Sequence, residues 1–117
     1  MESIVKDRSK KFAVRIVRLN QYLSEEKREY VMSKQILRSG TSIGANVREA
    51  LDGQSKADFT AKMSIALKEA SETEYWLELL HETDYLSEEQ YESIAADCKE
   101  LAKILTSIVK TSRGNRN

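Results

Sequence analysis

The chain has 117 residues, of which 40% are hydrophobic and 32% are charged, with four glycines and no proline. This length supports one hydrophobic core and is too short for two, and the composition is typical of amphipathic helices in water. No apolar run approaches the roughly 20 residues that span a bilayer, and residues 1–11 carry too many charges for a signal peptide. We therefore expect one all-helical domain located in the cytoplasm.

Charge is balanced in total but unevenly distributed along the chain. Nineteen Lys and Arg residues offset nineteen Asp and Glu residues, so net charge alone argues against a constitutive nucleic-acid-binding protein. Both ends of the chain are basic, whereas the segment 69–100 holds eleven acidic residues and a single basic residue, Lys99. The distribution predicts a molecule with separate basic and acidic regions.

Apolar residues at helical spacing predict four helices, over roughly 3–23, 25–52, 56–82 and 88–111. Ser24, followed by two glutamates, fits an N-cap that opens helix two, and Gly53 fits the stop that ends it. In helix one, a single narrow arc holds the predicted core residues Val5, Phe12, Ile16, Leu19 and Leu23.

Helix two has two different faces. Its apolar arc consists of Ile36, Ile43, Val47 and Leu51. The far side carries a polar stripe of Arg38, Ser42, Asn46 and Glu49. Gly40 and Gly44 would each cost about 1 kcal/mol in a helix interior, so they indicate close approach of a neighbouring helix. A solvated polar face is the alternative interpretation of the stripe.

Helix three is capped by Ser55 and also has two faces. Its core stripe is Phe59, Met63, Ala66, Ala70, Thr73, Leu77 and Leu80. A second apolar face holds Ile65, Trp76 and Leu79, which predicts an oligomer interface because tryptophan is a preferred interface anchor. Partial cover of Trp76 by a neighbouring helix is the alternative. Glu69 and Glu72 lie near this face, and we expect them to form a partly buried polar network with the helix-two stripe.

Helix four begins at a capping box, Ser87 to Gln90, and its stripe contains Tyr91, Ile94, Cys98, Leu101, Leu105 and Ile108. Short connections favour an antiparallel up-down-up-down four-helix bundle, in which both basic termini lie at one end. In a cyclic assembly these termini would form a positive rim that attracts phosphates. The alternative is a pair of solubilising ends. The rim residues are Lys6, Arg8, Lys10, Lys11, Lys110, Arg113 and Arg116.

Candidate catalytic and metal-binding residues are few. His81 has no evident serine partner, and Glu78 to His81 is a single Glu-x-x-His motif, whereas a di-iron bundle needs two of these motifs. Cys98 lies in an apolar stripe, which is typical of a buried small hydrophobe. No phosphate loop or recognised catalytic motif occurs. We therefore expect no enzyme activity, no metal and no cofactor.

The sequence of helices two and three also carries a family resemblance. The runs QILRSGTSIGANVREA (residues 35–50) and IALKEASETEYWL (residues 65–77), with Phe59 between them, resemble the bacterial four-helix-bundle proteins encoded in intervening sequences of 23S rRNA genes. The resemblance covers nearly the whole chain and implies a ring-shaped assembly, most often a homopentamer. A distant relative is the accessory protein of diversity-generating retroelements, which is markedly basic. Because this chain has no net charge, we do not assign the relative's role in retroelements to it.

Overall fold

The computed structural model describes residues 3–114, and within that range the chain forms four α-helices and no strand. Helix α1 spans Ile4–Glu25, α2 spans Met32–Leu51, α3 spans Lys56–Glu82 and α4 spans Glu88–Gly114. The expected all-helical class and the number of helices are confirmed. None of the described helices is both long and apolar enough to cross a bilayer.

Three of the helices begin at a serine whose hydroxyl accepts a hydrogen bond from a backbone N–H three residues later. Ser3 and Ser55 cap α1 and α3 in this way, at 3.2 and 3.0 Å. Ser87 accepts from the Gln90 N–H at 3.1 Å, while the Gln90 side chain accepts from the Ser87 N–H at 2.9 Å. The predicted caps at Ser55 and Ser87 are confirmed, because these serines satisfy donors that the helix itself leaves unpaired.

The predicted start of helix two at residue 25 is wrong. The Ser24 hydroxyl donates to the Asn20 carbonyl at 2.8 Å, so it belongs to the last full turn of α1. The backbone then reverses at Arg28, whose φ of 56° is left-handed, and α2 begins at Met32. The carboxylate of Glu29 accepts from the N–H groups of residues 31, 32 and 33 at 3.2, 3.0 and 2.8 Å. A loop glutamate therefore replaces the serine cap, which a sequence pattern of Ser followed by acids does not reveal.

Contacts between neighbouring helices show that they run antiparallel. Along each pair, the residue numbers of the contacts rise on one helix and fall on the other. Asn20 donates to the Ser33 carbonyl between α1 and α2, and Thr73 donates to Ser39 between α2 and α3. Helices α3 and α4 are antiparallel by the contacts Thr60–Ser112 and His81–Glu88. Helices α1 and α4 are antiparallel by the contacts Arg8–Glu100 and Arg15–Asp97. The four helices therefore run up, down, up and down, with α1 and α3 diagonal to each other.

The core contains one stripe from each helix. All five predicted α1 core residues are buried, as are the aliphatic residues, alanines and Thr73 of the α3 stripe. Helix α2 differs at its end, where Leu51 is exposed and Ala50 is buried. In α4, Val109 is buried and Ile108 is only partly buried. Leu86 in the α3–α4 connection also enters the core, although the helical periodicity did not select it.

Close packing of α1 on α2 depends on Gly40. A β-carbon at this position would lie 2.7 and 2.8 Å from Cγ1 and Cγ2 of Ile16, which is fully buried and β-branched. Ile16 has one favoured rotamer in a helix and no space to move, so the helices would have to separate. At Gly44, the nearest atom to such a β-carbon would be the Ser9 carbonyl oxygen at 3.4 Å. The interpretation of Gly40 as a close-approach residue is confirmed.

We predict that Gly40→Ala is destabilised relative to Gly44→Ala by about 1–3 kcal/mol, the usual cost of overpacking a core. Both variants gain the same helix propensity, so their difference isolates the contact with Ile16. The measurement is urea unfolding followed by circular dichroism at one protein concentration. Equal stabilities of the two variants would contradict the close contact.

Candidate interaction surface

The outward sides of α2 and α3 form one continuous surface, which we call the α2/α3 face. Successive members of this face on α3 are four or three residues apart in turn, and this spacing places them in a single stripe on one side of the helix. The α3 stripe consists of Ile65, Glu69, Glu72, Trp76 and Leu79. The neighbouring α2 residues are Arg38, Ser42, Asn46 and Glu49.

The structure brings Arg38, Glu72 and Trp76 together at the middle of this face. Arg38 Nη2 lies 3.1 Å from Glu72 Oε2, and the same oxygen accepts a hydrogen bond from Trp76 Nε1 at 3.2 Å. The two charged side chains are 60% and 36% exposed, so the ion pair contributes at most about 1 kcal/mol to a separate protomer.

The other polar residues of the α2/α3 face do not join this cluster. Ser42 donates to the Arg38 carbonyl at 2.6 Å, and Asn46 donates to the Ser42 carbonyl at 2.9 Å, so both bond within their own helix. Glu49 pairs with Lys62 at 2.8 Å, and this hydrogen bond raises the pKa of Lys62. The six residues expected to form one network therefore form separate local contacts. The sequence pattern did not select Lys62 as a member of the face, although Lys62 lies seven residues before Glu69 and therefore on the same side of α3.

Glu69 is the exception among these polar groups. Its Oε1 atom is shielded from solvent and has no hydrogen-bond partner within residues 3–114. A buried acceptor left without a donor costs about 1–3 kcal/mol, so such an atom requires an explanation. Of the two glutamates expected to share a network with Arg38, only Glu72 bonds it.

The apolar members of the face are unequally covered. Ile65 is 40% exposed, whereas Trp76 is partly buried and packs against the hydrophobic core. The ring of Trp76 also meets the exposed ring of Tyr75 edge to face, with centroids 5.1 Å apart. Trp76 is therefore partly covered by its own protomer, as the alternative interpretation required, and is not fully buried.

The basic residues of the two chain ends lie at the same end of the bundle. Lys6, Lys10 and Lys11 are exposed on α1, and Lys110 is exposed on α4. Arg8 approaches Glu100 at 4.0 Å, and Arg113 donates to the Ser64 hydroxyl at 3.3 Å. Among residues 3–114, the four lysines of this basic end have no ion-pair partner. Arg116 lies outside the described residues.

Groups that could support chemistry are engaged in packing. His81 Nε2 lies 2.8 Å from Glu88 Oε1, and its ring stacks on Tyr91 with centroids 4.3 Å apart, which fastens the end of α3 to α4. Cys98 is fully buried, and this burial raises the pKa of its thiol to about 12. Within residues 3–114, no three His, Cys, Asp or Glu side chains are grouped closely enough to hold a metal ion.

These features define a class: an antiparallel helical bundle that carries a mixed apolar and polar face on two of its helices. Residues 1–107 match the family model of the 23S rRNA-intervening sequence protein. The chain belongs to this family, as the residue runs in helices two and three indicated.

A solved structure supports the same assignment. The chain is 64% identical to a protein of unknown function from the S23 ribosomal protein family of Bacteroides thetaiotaomicron, whose crystal structure superposes with a TM-score of 0.90. The similarity covers 92% of this chain and 96% of that one. No curated protein matches the chain.

We predict that Cys98 does not react with Ellman's reagent at pH 8 in the folded protein, because thiolate is the reactive species and burial keeps the thiol protonated. The unfolded thiol ionises near pH ~8.5, so the contribution of Cys98 to stability is complete below that pH and falls as the pH rises. Full reaction in denaturant provides the control. Rapid reaction of the native protein would show that the α3–α4 packing around Cys98 is wrong.

Proposed function

We propose that this protein is a non-enzymatic, cytoplasmic scaffold that assembles with copies of itself through the α2/α3 face. The observation that carries the proposal is the composition of that face. Ile65 is exposed and Trp76 and Leu79 are partly buried on the side of α3 that also carries Glu69, which has a shielded oxygen with no donor in the described part of the chain. Apolar side chains around a tryptophan are the usual centre of a protein interface.

A ring is the assembly that best suits this protomer. The family resemblance implies a cyclic arrangement, most often of five subunits. In a ring, each protomer uses two different surfaces, one toward each neighbour, and the symmetry repeats every polar end on the same rim. A scaffold of this kind would present several identical binding surfaces to a partner, which raises avidity without any new contact in the protomer.

We predict that Ile65→Glu separates the assembly, because it introduces a charge among the apolar residues of the α2/α3 face. The matched control is Leu51→Glu, since Leu51 is 42% exposed and Ile65 is 40% exposed, and Leu51 lies off this face. Light scattering after size-exclusion chromatography measures the mass against the 13.4 kDa protomer.

The proposal requires the unmodified protein and Leu51→Glu to have the same mass, equal to several protomers, or to five for a homopentamer. The mass of Ile65→Glu is expected to be lower. A parent that stays monomeric at micromolar concentration would refute the scaffold. A parent dimer would retain the interface and exclude the five-membered ring.

A second candidate function is nucleic-acid binding by the basic end of the bundle. The favouring observation is that exposed lysines of α1 and α4 lie at one end, while Glu82, Glu88 and Glu89 lie exposed at the other. A cyclic assembly would repeat these lysines around one rim. Contacts with phosphates release counterions, so binding of this kind weakens steeply as the salt concentration rises.

We predict that structured RNA binds the parent at low salt and that Lys6→Gln/Lys10→Gln/Lys110→Gln binds more weakly with a shallower salt dependence. Lys27→Gln/Lys34→Gln is the control, because these exposed lysines lie at the opposite end. Fluorescence anisotropy at low and physiological salt measures both effects. Absence of RNA binding by the parent at low salt would remove this candidate and leave the scaffold unaffected.

A further inference from the structure

We infer that single-stranded nucleic acid binds along the outward side of α3 and α4, with its phosphates on the basic residues of α4 and a base stacked on Tyr75. The inference rests on the nucleic-acid binding proposed above, and it moves the main contact from the end of the bundle to its side. It follows from a row of cations on α4, a surface of small residues beside that row on α3, and an exposed aromatic ring at the limit of both.

One side of α4 carries a row of four basic residues, which we call the α4 row. Its members are Lys99, Lys103, Lys110 and Arg113, and all four are exposed. They are four, seven and three residues apart, a spacing that places them within about 80° on one side of the helix. At a rise of about 1.5 Å per residue, the row is about 21 Å long.

The charges of the α4 row are not neutralised within the described part of the protomer. None of its three lysines has an ion-pair partner in the range 3–114, and Arg113 donates to the neutral hydroxyl of Ser64. The helix dipole favours cations in the last turn of α4, but Lys99 and Lys103 lie about three turns or more before its end. The row therefore offers positive charge to an anion from outside the protomer.

The outward side of α3 next to the α4 row is neutral or basic. The Cys98 thiol donates to the Ala70 carbonyl at 3.6 Å, which sets the level of α3 against α4. Lys68 is therefore within about one turn of the level of Lys103, and both are exposed. The other outward residues on this side of α3 have short side chains, so an extended strand can approach the helix closely. These residues are Ala57, Ala61, Ser64 and Ser71.

A shallow groove of about 580 Å³ lies along this surface, and the three lysines of the α4 row line it. The exposed hydroxyl of Ser107 lines the groove between Lys103 and Lys110 and can donate to a phosphate oxygen. Glu74 lines the end of the groove nearest Lys99, and repulsion by its carboxylate sets the limit of the phosphate contacts there. A neutral group of the ligand is required beyond that limit.

Tyr75 lies at this limit and suits a base. It is seven residues after Lys68 and therefore on the same outward side of α3, where its side chain is 53% exposed. Proteins stack the bases of single strands on exposed aromatic rings beside cations, whereas duplex bases are already stacked on each other. An acidic protein segment would meet the same cations, but it carries no base for Tyr75. The surface therefore favours a single strand.

Self-assembly would leave this site open. The α4 row lies on a different helix from the α2/α3 face, so a contact made through that face does not require the row. A cyclic assembly would repeat the row once per subunit, and several rows on one particle would raise avidity for a long strand.

Fluorescence anisotropy with a labelled oligouridylate tests the phosphate contacts. Lys99→Gln/Lys103→Gln is expected to bind about tenfold more weakly than the unmodified protein at low salt. The slope of log K against log salt is expected to become shallower by about 1–2, because two phosphate contacts are lost. Lys27→Gln/Lys34→Gln removes the same charge from exposed positions at the opposite end and is expected to bind like the unmodified protein. Far-ultraviolet circular dichroism checks that each variant folds.

Tyr75→Leu tests the stacked base in the same measurement. Loss of one stacked base is expected to weaken binding about tenfold and to leave the salt slope unchanged, because no charge is removed. Tyr30→Leu is the matched control, since Tyr30 is also 53% exposed and lies in the connection between α1 and α2.

The outcomes separate this inference from the proposed functions. A protein that binds no oligouridylate at low salt would overturn both the inference and the nucleic-acid candidate, and would leave the scaffold unaffected. Binding that depends on Lys6 and Lys10 but not on Lys99 and Lys103 would overturn the inference alone and retain the candidate at the end of the bundle. Equal binding by Tyr75→Leu and Tyr30→Leu, or displacement of the RNA by polyglutamate as readily as by unlabelled RNA, would exclude the stacked single strand.

Discussion

The rest of the structure depends on the narrow core, which accepts one apolar stripe from each helix. Gly40 brings α1 and α2 into close contact at Ile16, and the small residues Ala66 and Ala70 face the same interior from α3. Protein cores are close-packed, so this core has no space for a second apolar stripe from the same helix. The additional apolar residues of α1 and α3 must therefore remain at the surface, where they either meet water or meet another chain.

The helical periodicity predicted most of this fold because it reports directly which side of a helix is buried. It identified the core residues of α1 and most of those of α3, and it separated Ile65 from that core. It could not locate the start of α2, since the cap there is a loop glutamate that acts on three backbone groups beyond it. Leu86 was missed for a related reason, because a residue in a short connection belongs to no helical repeat.

The candidate surface was only partly predictable. Sequence spacing placed Arg38 and both glutamates on facing sides of α2 and α3, but it did not decide which carboxylate the guanidinium would bond. That choice depends on side-chain reach, and Glu72 accepts from Arg38 and Trp76 together. Glu69 Oε1 has no donor among residues 3–114. The family assignment fixes the fold and leaves function open, so function has to be argued from this surface.

The most direct test of the α2/α3 face uses Trp76, which is the sole tryptophan of the chain. Acrylamide quenching of its fluorescence, measured with light scattering across a dilution series, reports the exposure of the face and the mass of the assembly at once. We predict that quenching rises as dilution separates the protomers, since separation opens the edge of Trp76 to water. Equal quenching of assembled and separated protomers would show that the chain assembles, if at all, through another surface.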